Sequence, residues 1–164
     1  MNKTVLAALA GALMVLQVSQ VQAEGLDAKR FYAGGGLAFN SLPGFGSARG
    51  FQFFGGYELA TKLNDDISTA LELGYMDSGK FDQYDSSAPN KSKAKGLWLS
   101  AVEMVPLTSK AYMQARLGYD FGDDDGFLVG AGLAYRFDTR ITLKSEYVVR
   151  ENINGLQFNL QVGF

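Results

Sequence analysis

The sequence contains neither cysteine nor histidine. Without cysteine there is no disulfide framework and no thiolate metal site. Without histidine, the side chain that most often serves as general base near neutral pH is missing. Fifteen Lys and Arg residues stand against seventeen Asp and Glu, a formal net charge of −2, so the basic excess of a nucleic-acid surface is absent too. No run of eighteen apolar residues occurs, which excludes helical membrane spans. Beyond the first residues, no long stretch places apolar side chains at a helical period. Only three prolines accompany twenty glycines, while 13% of the chain is aromatic. That balance is unusual for a helical protein.

The N-terminus carries one positive side chain, Lys3, ahead of an apolar run over 5–16, and Val21-Gln22-Ala23 supplies small or modest residues before a cut. This is the layout of a secretory signal peptide, with a core too short to remain as a span. Cleavage after Ala23 leaves 24–164, one domain's worth of chain.

The remainder divides into eight segments of about ten residues with alternating polarity, the length and period of membrane β-strands. They are 30–40, 49–59, 67–77, 95–105, 111–121, 127–137, 140–150 and 155–164. In the first, Phe31, Leu37 and Phe39 share a face opposite Tyr32, Gly34, Gly36, Ala38 and Asn40. In the last, Leu156, Phe158, Leu160, Val162 and Phe164 alternate with Gln157, Asn159, Gln161 and Gly163. The segment 95–105 alternates least cleanly. Trp98, Ser100, Val102 and Met104 are assigned there to the outer, apolar side, which turns Glu103 inward.

A soluble barrel buries its apolar face, whereas a membrane barrel turns it to lipid and fills its lumen with polar groups. Most aromatics fall on the apolar faces, and the opposite faces hold glycine, alanine, amides and charges. Such a face cannot form a dry core, because buried unpaired charge is too costly. The expected fold is therefore all-β, an eight-stranded antiparallel up-and-down transmembrane barrel. Its connections alternate between short ones (61–66, 106–110, 138–139) and a set that includes the longest, 78–94. Bacterial barrels put short turns in the periplasm, so both termini are expected there. The remaining loops, 41–48, 122–126 and 151–154, are brief.

The final segment ends in an aromatic, as the assembly signal of outer-membrane proteins does, through Phe158, Leu160, Val162 and Phe164. That segment, Ala115-Arg116-Leu117-Gly118-Tyr119, the run from Gly130 to Phe137 and Glu146-Tyr147 resemble strands of the OmpA-like and OmpX-like small outer-membrane barrels. The resemblance covers essentially the whole mature chain. It implies location in the bacterial outer membrane, contact with its lipid and lipopolysaccharide, recognition by the barrel-assembly machinery, and a monomer without cofactor. OmpA itself continues into a peptidoglycan-binding domain; this sequence runs to Phe164, and that tethering role is not expected to carry over.

The most informative constellation is the set of inward charges: Glu58, Glu72, Glu103 and Glu146 against Arg116, Arg136 and Lys144. An OmpA-like interior has a comparable network, which the resemblance implies closes the lumen or gates a narrow path. The plainer reading is polar filling of a small barrel, paired because unpaired charge is costly. Acid–base catalysis needs a cleft beside the carboxylates, and a lumen eight strands wide offers none. The enzymes of small outer-membrane barrels resemble one another in requiring histidine, so no enzyme is expected. Gly122-Asp123-Asp124-Asp125-Gly126 invites a calcium reading but lacks EF-hand spacing and suits a hairpin turn as well; no metal is expected. Lys80, Lys91, Lys93 and Lys95 could meet lipopolysaccharide phosphates, or simply form a solvated loop. The favoured function is a non-enzymatic envelope-structural barrel with a charge-filled lumen. The alternatives are an OmpX-like adhesion or serum-resistance protein, and a narrow channel for ions or small apolar molecules.

Overall fold

The computed structural model describes residues 27–60, 67–81 and 93–164. The expected signal peptide, most of the long connection and Lys91 lie outside them. After a 3-10 turn at Ala28–Arg30 come eight strands: β1 Phe31–Ser41, β2 Ser47–Glu58, β3 Ser68–Asp77, β4 Lys95–Pro106, β5 Ala111–Asp120, β6 Gly126–Arg136, β7 Ile141–Val149 and β8 Asn154–Gly163. Each pairs antiparallel with its sequence neighbours, and β8 returns to β1, closing the barrel. Closure removes every free sheet edge, as a backbone in lipid requires.

The register fixes the barrel's shape. A row of paired residues leaving Phe31 passes through Tyr57, Leu71, Ala101, Leu117, Val129, Val149 and Asn154, and arrives at Ser41. The row has climbed ten residues along β1 in one circuit, a stagger that tilts the strands by roughly 40°. Eight strands at that tilt enclose a space that side chains can fill.

Local chemistry sets the tight hairpins. Between β6 and β7 the Asp138 carboxylate accepts from the N–H groups of Arg140 and Ile141, at 2.7 and 2.8 Å. Between β4 and β5, Thr108 Oγ1 accepts from Ala111 N at 3.0 Å. A short side chain closing on the backbone ahead of it is the usual device of such turns. These hairpins, Asp27 and Phe164 share one end of the barrel, the turn end. The opposite strand ends form the loop end.

The alternation does what the sequence expects on seven strands. Leu37, Phe53 and Leu133 on the outer wall are 62%, 61% and 59% exposed, whereas Gln52, Glu72 and Lys144 inside are at most 1% exposed. In water such an outer wall would be one continuous apolar patch; in lipid it is the stabilised surface. Aromatics gather at two levels: Phe31, Tyr57, Tyr135 and Phe137 near the turn end, and Phe39, Phe51, Tyr119 and Phe127 near the loop end. These are the interfacial girdles of a membrane barrel.

Strand β4 is the correction. Trp98, Ser100, Val102 and Met104 face the lumen, with Trp98 1% exposed, and Leu97, at 54%, faces outward. Trp98 pairs in register with Gly74, where any Cβ would collide with the indole. The missing side chain on β3 is the space the indole fills. Glu103 is consequently on the outer wall, opposite Thr69, whose hydroxyl donates to its carboxylate at 2.8 Å.

Candidate functional site

Midway along the lumen, charge from opposite strands converges. Arg116 of β5 donates from Nε to Glu146 of β7 at 2.8 Å and from Nη1 to Ser100 of β4 at 2.9 Å. Its Nη2 lies 2.7 Å from the second oxygen of Glu72 on β3, close enough for ion pairing though not aligned as a hydrogen bond. Lys144 of β7 donates to the other Glu72 oxygen at 2.8 Å, and so does the Tyr32 hydroxyl of β1. Two carboxylates and two cations make a neutral set, each member 5% exposed or less.

Aromatic rings insulate this set. The Arg116 guanidinium sits 4.7 Å from the Trp98 ring centre, and the Lys144 ammonium sits 5.3 and 5.5 Å from Tyr32 and Phe54. Cations over ring faces gain further stabilisation once desolvated. Toward the loop end, Arg150 donates to Asp120 at 2.9 Å, and the Gln52 amide bridges Gln157 and Asn159. Toward the turn end, Val102, Met104 and Ala134 pack with Tyr112, over whose ring Arg136 lies at 4.8 Å.

The residues named from sequence thus separate. Glu72, Arg116, Lys144 and Glu146 come together. Arg136 and Glu58 remain nearer the turn end, and neither is ion-paired with another described residue. Glu103 belongs to the outer wall. Missed from sequence were Tyr32 and Ser100 as partners, Trp98 as the insulating wall, and the Asp120–Arg150 pair. Phe158, Leu160, Val162 and Phe164 all face outward, and β8 carries the first three into the closing seam with β1.

The loop end is capped. Phe45, Ala48, Phe81, Ala94 and Ile153 form an apolar cluster with Leu42 beside it. The Asp124 carboxylate accepts from the Asn152 N–H and side-chain amide and from the Ile153 N–H, at 2.7 to 3.1 Å. Asp123 accepts from the Lys95 N–H. These carboxylates bind neighbouring loop backbone. Lys80, Lys93 and Lys95 are exposed at this end. Lys93 pairs with Asp77 at 2.7 Å, and that hydrogen bond together with the carboxylate charge raises its ammonium above the usual lysine value.

On the outer wall, near the turn end, a groove of about 530 Å³ has Ala33 and Gly55 as neighbouring floor residues. Leu71, Leu73 and Leu99 form one side and Phe164 borders the other, with Phe31 and Tyr57 at the turn-end mouth. The Phe53 ring lies over Gly35 and limits the groove toward the loop end.

Among solved structures, the barrel matches a de novo designed transmembrane β-barrel at a TM-score of 0.55 and 12% identity, covering 84% of this chain and 98% of that one. It matches Ail of Yersinia pestis in a phospholipid nanodisc at 0.52 and 12%, covering 81% and 99%. Neisserial surface protein A matches at 0.50 and 21%, covering 86% and 100%. No curated protein matches by sequence. The model of the OmpA-like transmembrane domain matches residues 22–161, nearly the whole chain, and the protein belongs to that family of outer-membrane barrels.

Proposed function

We propose that this chain is a non-enzymatic, monomeric envelope protein whose lumen is held shut by its own side chains. Its turn end and both termini lie in the periplasm, and its loop end is outside. The observation that carries the reading is the neutral set centred on Arg116: four charges from three strands, linked in one run from Lys144 through Glu72 and Arg116 to Glu146 and walled by aromatics. Its carboxylates are committed to cations, and without histidine no nucleophile-activating arrangement of the triad type can be assembled. The short turns at the end that carries the termini support the orientation. With the loop end outward, Lys80, Lys93 and Lys95 face lipopolysaccharide phosphates.

Single-channel recording on the refolded barrel tests the function. A closed lumen conducts poorly, and Arg116→Ala raises conductance while lowering stability. A steady wild-type current, with selectivity but not stability altered in the variant, favours the channel reading. The cysteine-free background suits a test of orientation. Lys80→Cys should react with an impermeant maleimide on intact cells, and Ser109→Cys only after lysis. Phe164 follows the seam strand, its N–H donating to the Phe31 carbonyl at 3.1 Å, so its deletion should reduce membrane insertion more than Gln161→Ala does; equal insertion removes its role as assembly signal.

A further inference from the structure

We infer that the outer-wall groove is a binding site for one phospholipid, taking an acyl chain over Ala33 and Gly55 and an amine-bearing headgroup at its mouth. The groove is open because its floor is small. A Cβ on Gly55 would meet no atom closer than the Tyr32 carbonyl at 3.9 Å, so the space above it is available for hydrocarbon. Its dimensions fit within one leaflet. From the Phe31 mouth to Gly35 beneath the Phe53 ring are four residues, about 13 Å of strand; at the strands' tilt this is roughly 10 Å of depth, against roughly half of a 30 Å hydrocarbon core. A chain entering between the aromatics therefore stays within that leaflet.

The charges on the strand ends flanking the groove suit a zwitterionic headgroup. Lys29 and Arg30 precede Phe31, which lines the groove; Arg30 also lies 3.9 Å from the Asp27 carboxylate, and the Asp27 N–H donates to the Tyr57 hydroxyl at 3.3 Å, which holds this segment next to the groove wall. Glu103 lies two register positions toward the turn end from the Leu71–Ala101 pair, on the same face. It is a partly buried carboxylate on a wall otherwise presented to lipid, held by Thr69. A carboxylate on a lipid-facing wall costs least near an interface, and an ammonium group there would give it a partner. Phosphate toward Lys29 and Arg30, with amine toward Glu103, describes a phosphoethanolamine headgroup. A quaternary ammonium fits less well, because it has no N–H to donate to the carboxylate. Assignment to the periplasmic leaflet rests on the orientation proposed above; the site itself does not.

Native mass spectrometry of the whole barrel in detergent, with phosphatidylethanolamine, phosphatidylcholine or phosphatidylglycerol added, tests this. The wild type should retain one phosphatidylethanolamine about fivefold over the other two, the scale of one partly exposed ion pair. Gly55→Leu fills the groove without touching the barrel interior and should reduce retention of all three by about tenfold or more, given the chain area displaced. Ala33→Leu should do the same, and both should keep the heat-modifiable mobility of a folded barrel. Glu103→Gln should retain lipid and lose the preference. Equal retention by wild type and the folded groove-filling variants overturns the site, and an unchanged preference in Glu103→Gln overturns the headgroup assignment. Because detergent has no leaflets, failure here leaves the maleimide result on orientation standing, and the reverse also holds.

Discussion

Two ion pairs in this barrel have the same separation and opposite settings. Arg116 lies 2.7 Å from Glu72 in the lumen, and Lys93 lies 2.7 Å from Asp77 at the loop end. The lumen pair has side chains 3% and 0% exposed, whereas the Lys93 side chain is 48% exposed. Arg116 has three polar partners and a ring beneath it. Lys93 has one partner and open water. Distance therefore ranks nothing by itself. The lumen pair has lost its hydration and depends on every member of its set, while the surface pair exchanges one hydrated state for another.

The largest expected effect comes from breaking the inner set. Arg116→Ala leaves Glu146 buried without its cation and should cost about 3–5 kcal/mol, less to the extent that lumen water enters. The urea midpoint of refolded protein reads it. The comparison sharpens if Glu146 goes as well. Arg116→Met with Glu146→Leu leaves the neutral Glu72–Lys144 pair and should unfold at higher urea than Arg116→Met alone. An equal or lower midpoint would show that the guanidinium matters for more than charge balance.

A middle case lies in the cap. Asp124→Ala removes the acceptor for two backbone N–H groups and one side-chain amide, and should cost about 1–3 kcal/mol locally. Faster hydrogen exchange at the Asn152 and Ile153 amides, with β5 and β7 unchanged, is the expected reading. Lys93→Ala should barely move the urea midpoint, and that small change should shrink further in high salt.

The smallest effect concerns pH at the β6–β7 turn. Hydrogen bonds from the N–H groups of Arg140 and then Ile141 hold the Asp138 carboxyl below its usual value. A group depressed on folding contributes stability fully above its unfolded pKa and loses it as pH falls through the folded one. Wild type should thus lose a small increment of stability in acid that Asp138→Ala lacks at any pH. Parallel pH–stability curves for the two proteins would refute it.

Most of the fold was legible because alternation leaves little choice of register. Where Phe53 and Gly55 alternate with Gln52 and Phe54 among charges and glycines, one face must be lumen. β4 was illegible for the opposite reason. Leu97, Trp98, Leu99, Ala101 and Val102 supply no polar face, and Glu103 pulled the reading the wrong way. The signal that corrects it is on the neighbouring strand, where Gly74 leaves space for an indole, and only the cross-strand register brings those residues together. The Glu72, Arg116, Lys144 and Glu146 set was visible as inward charges, but not its separation from Glu58 and Arg136, since height along a tilted strand depends on stagger. The loop cap was hidden because its apolar residues are scattered among short connections.

The lumen set also has a consequence in time. Glu72 and Lys144 are 72 residues apart in sequence, on β3 and β7, which occupy opposite sides of an eight-stranded ring; Tyr32 and Arg116, on β1 and β5, occupy the other diameter. No hairpin or half-barrel can form the Glu72–Lys144 contact. It arises only when β7 arrives opposite β3, so it should contribute little to any transition state in which the sheet is still open. Interactions absent from the transition state act on the unfolding rate and leave the folding rate nearly unchanged. That pair then serves as a latch on lifetime: a barrel that has closed stays closed, and Lys144→Met should shorten how long it persists far more than it slows its formation.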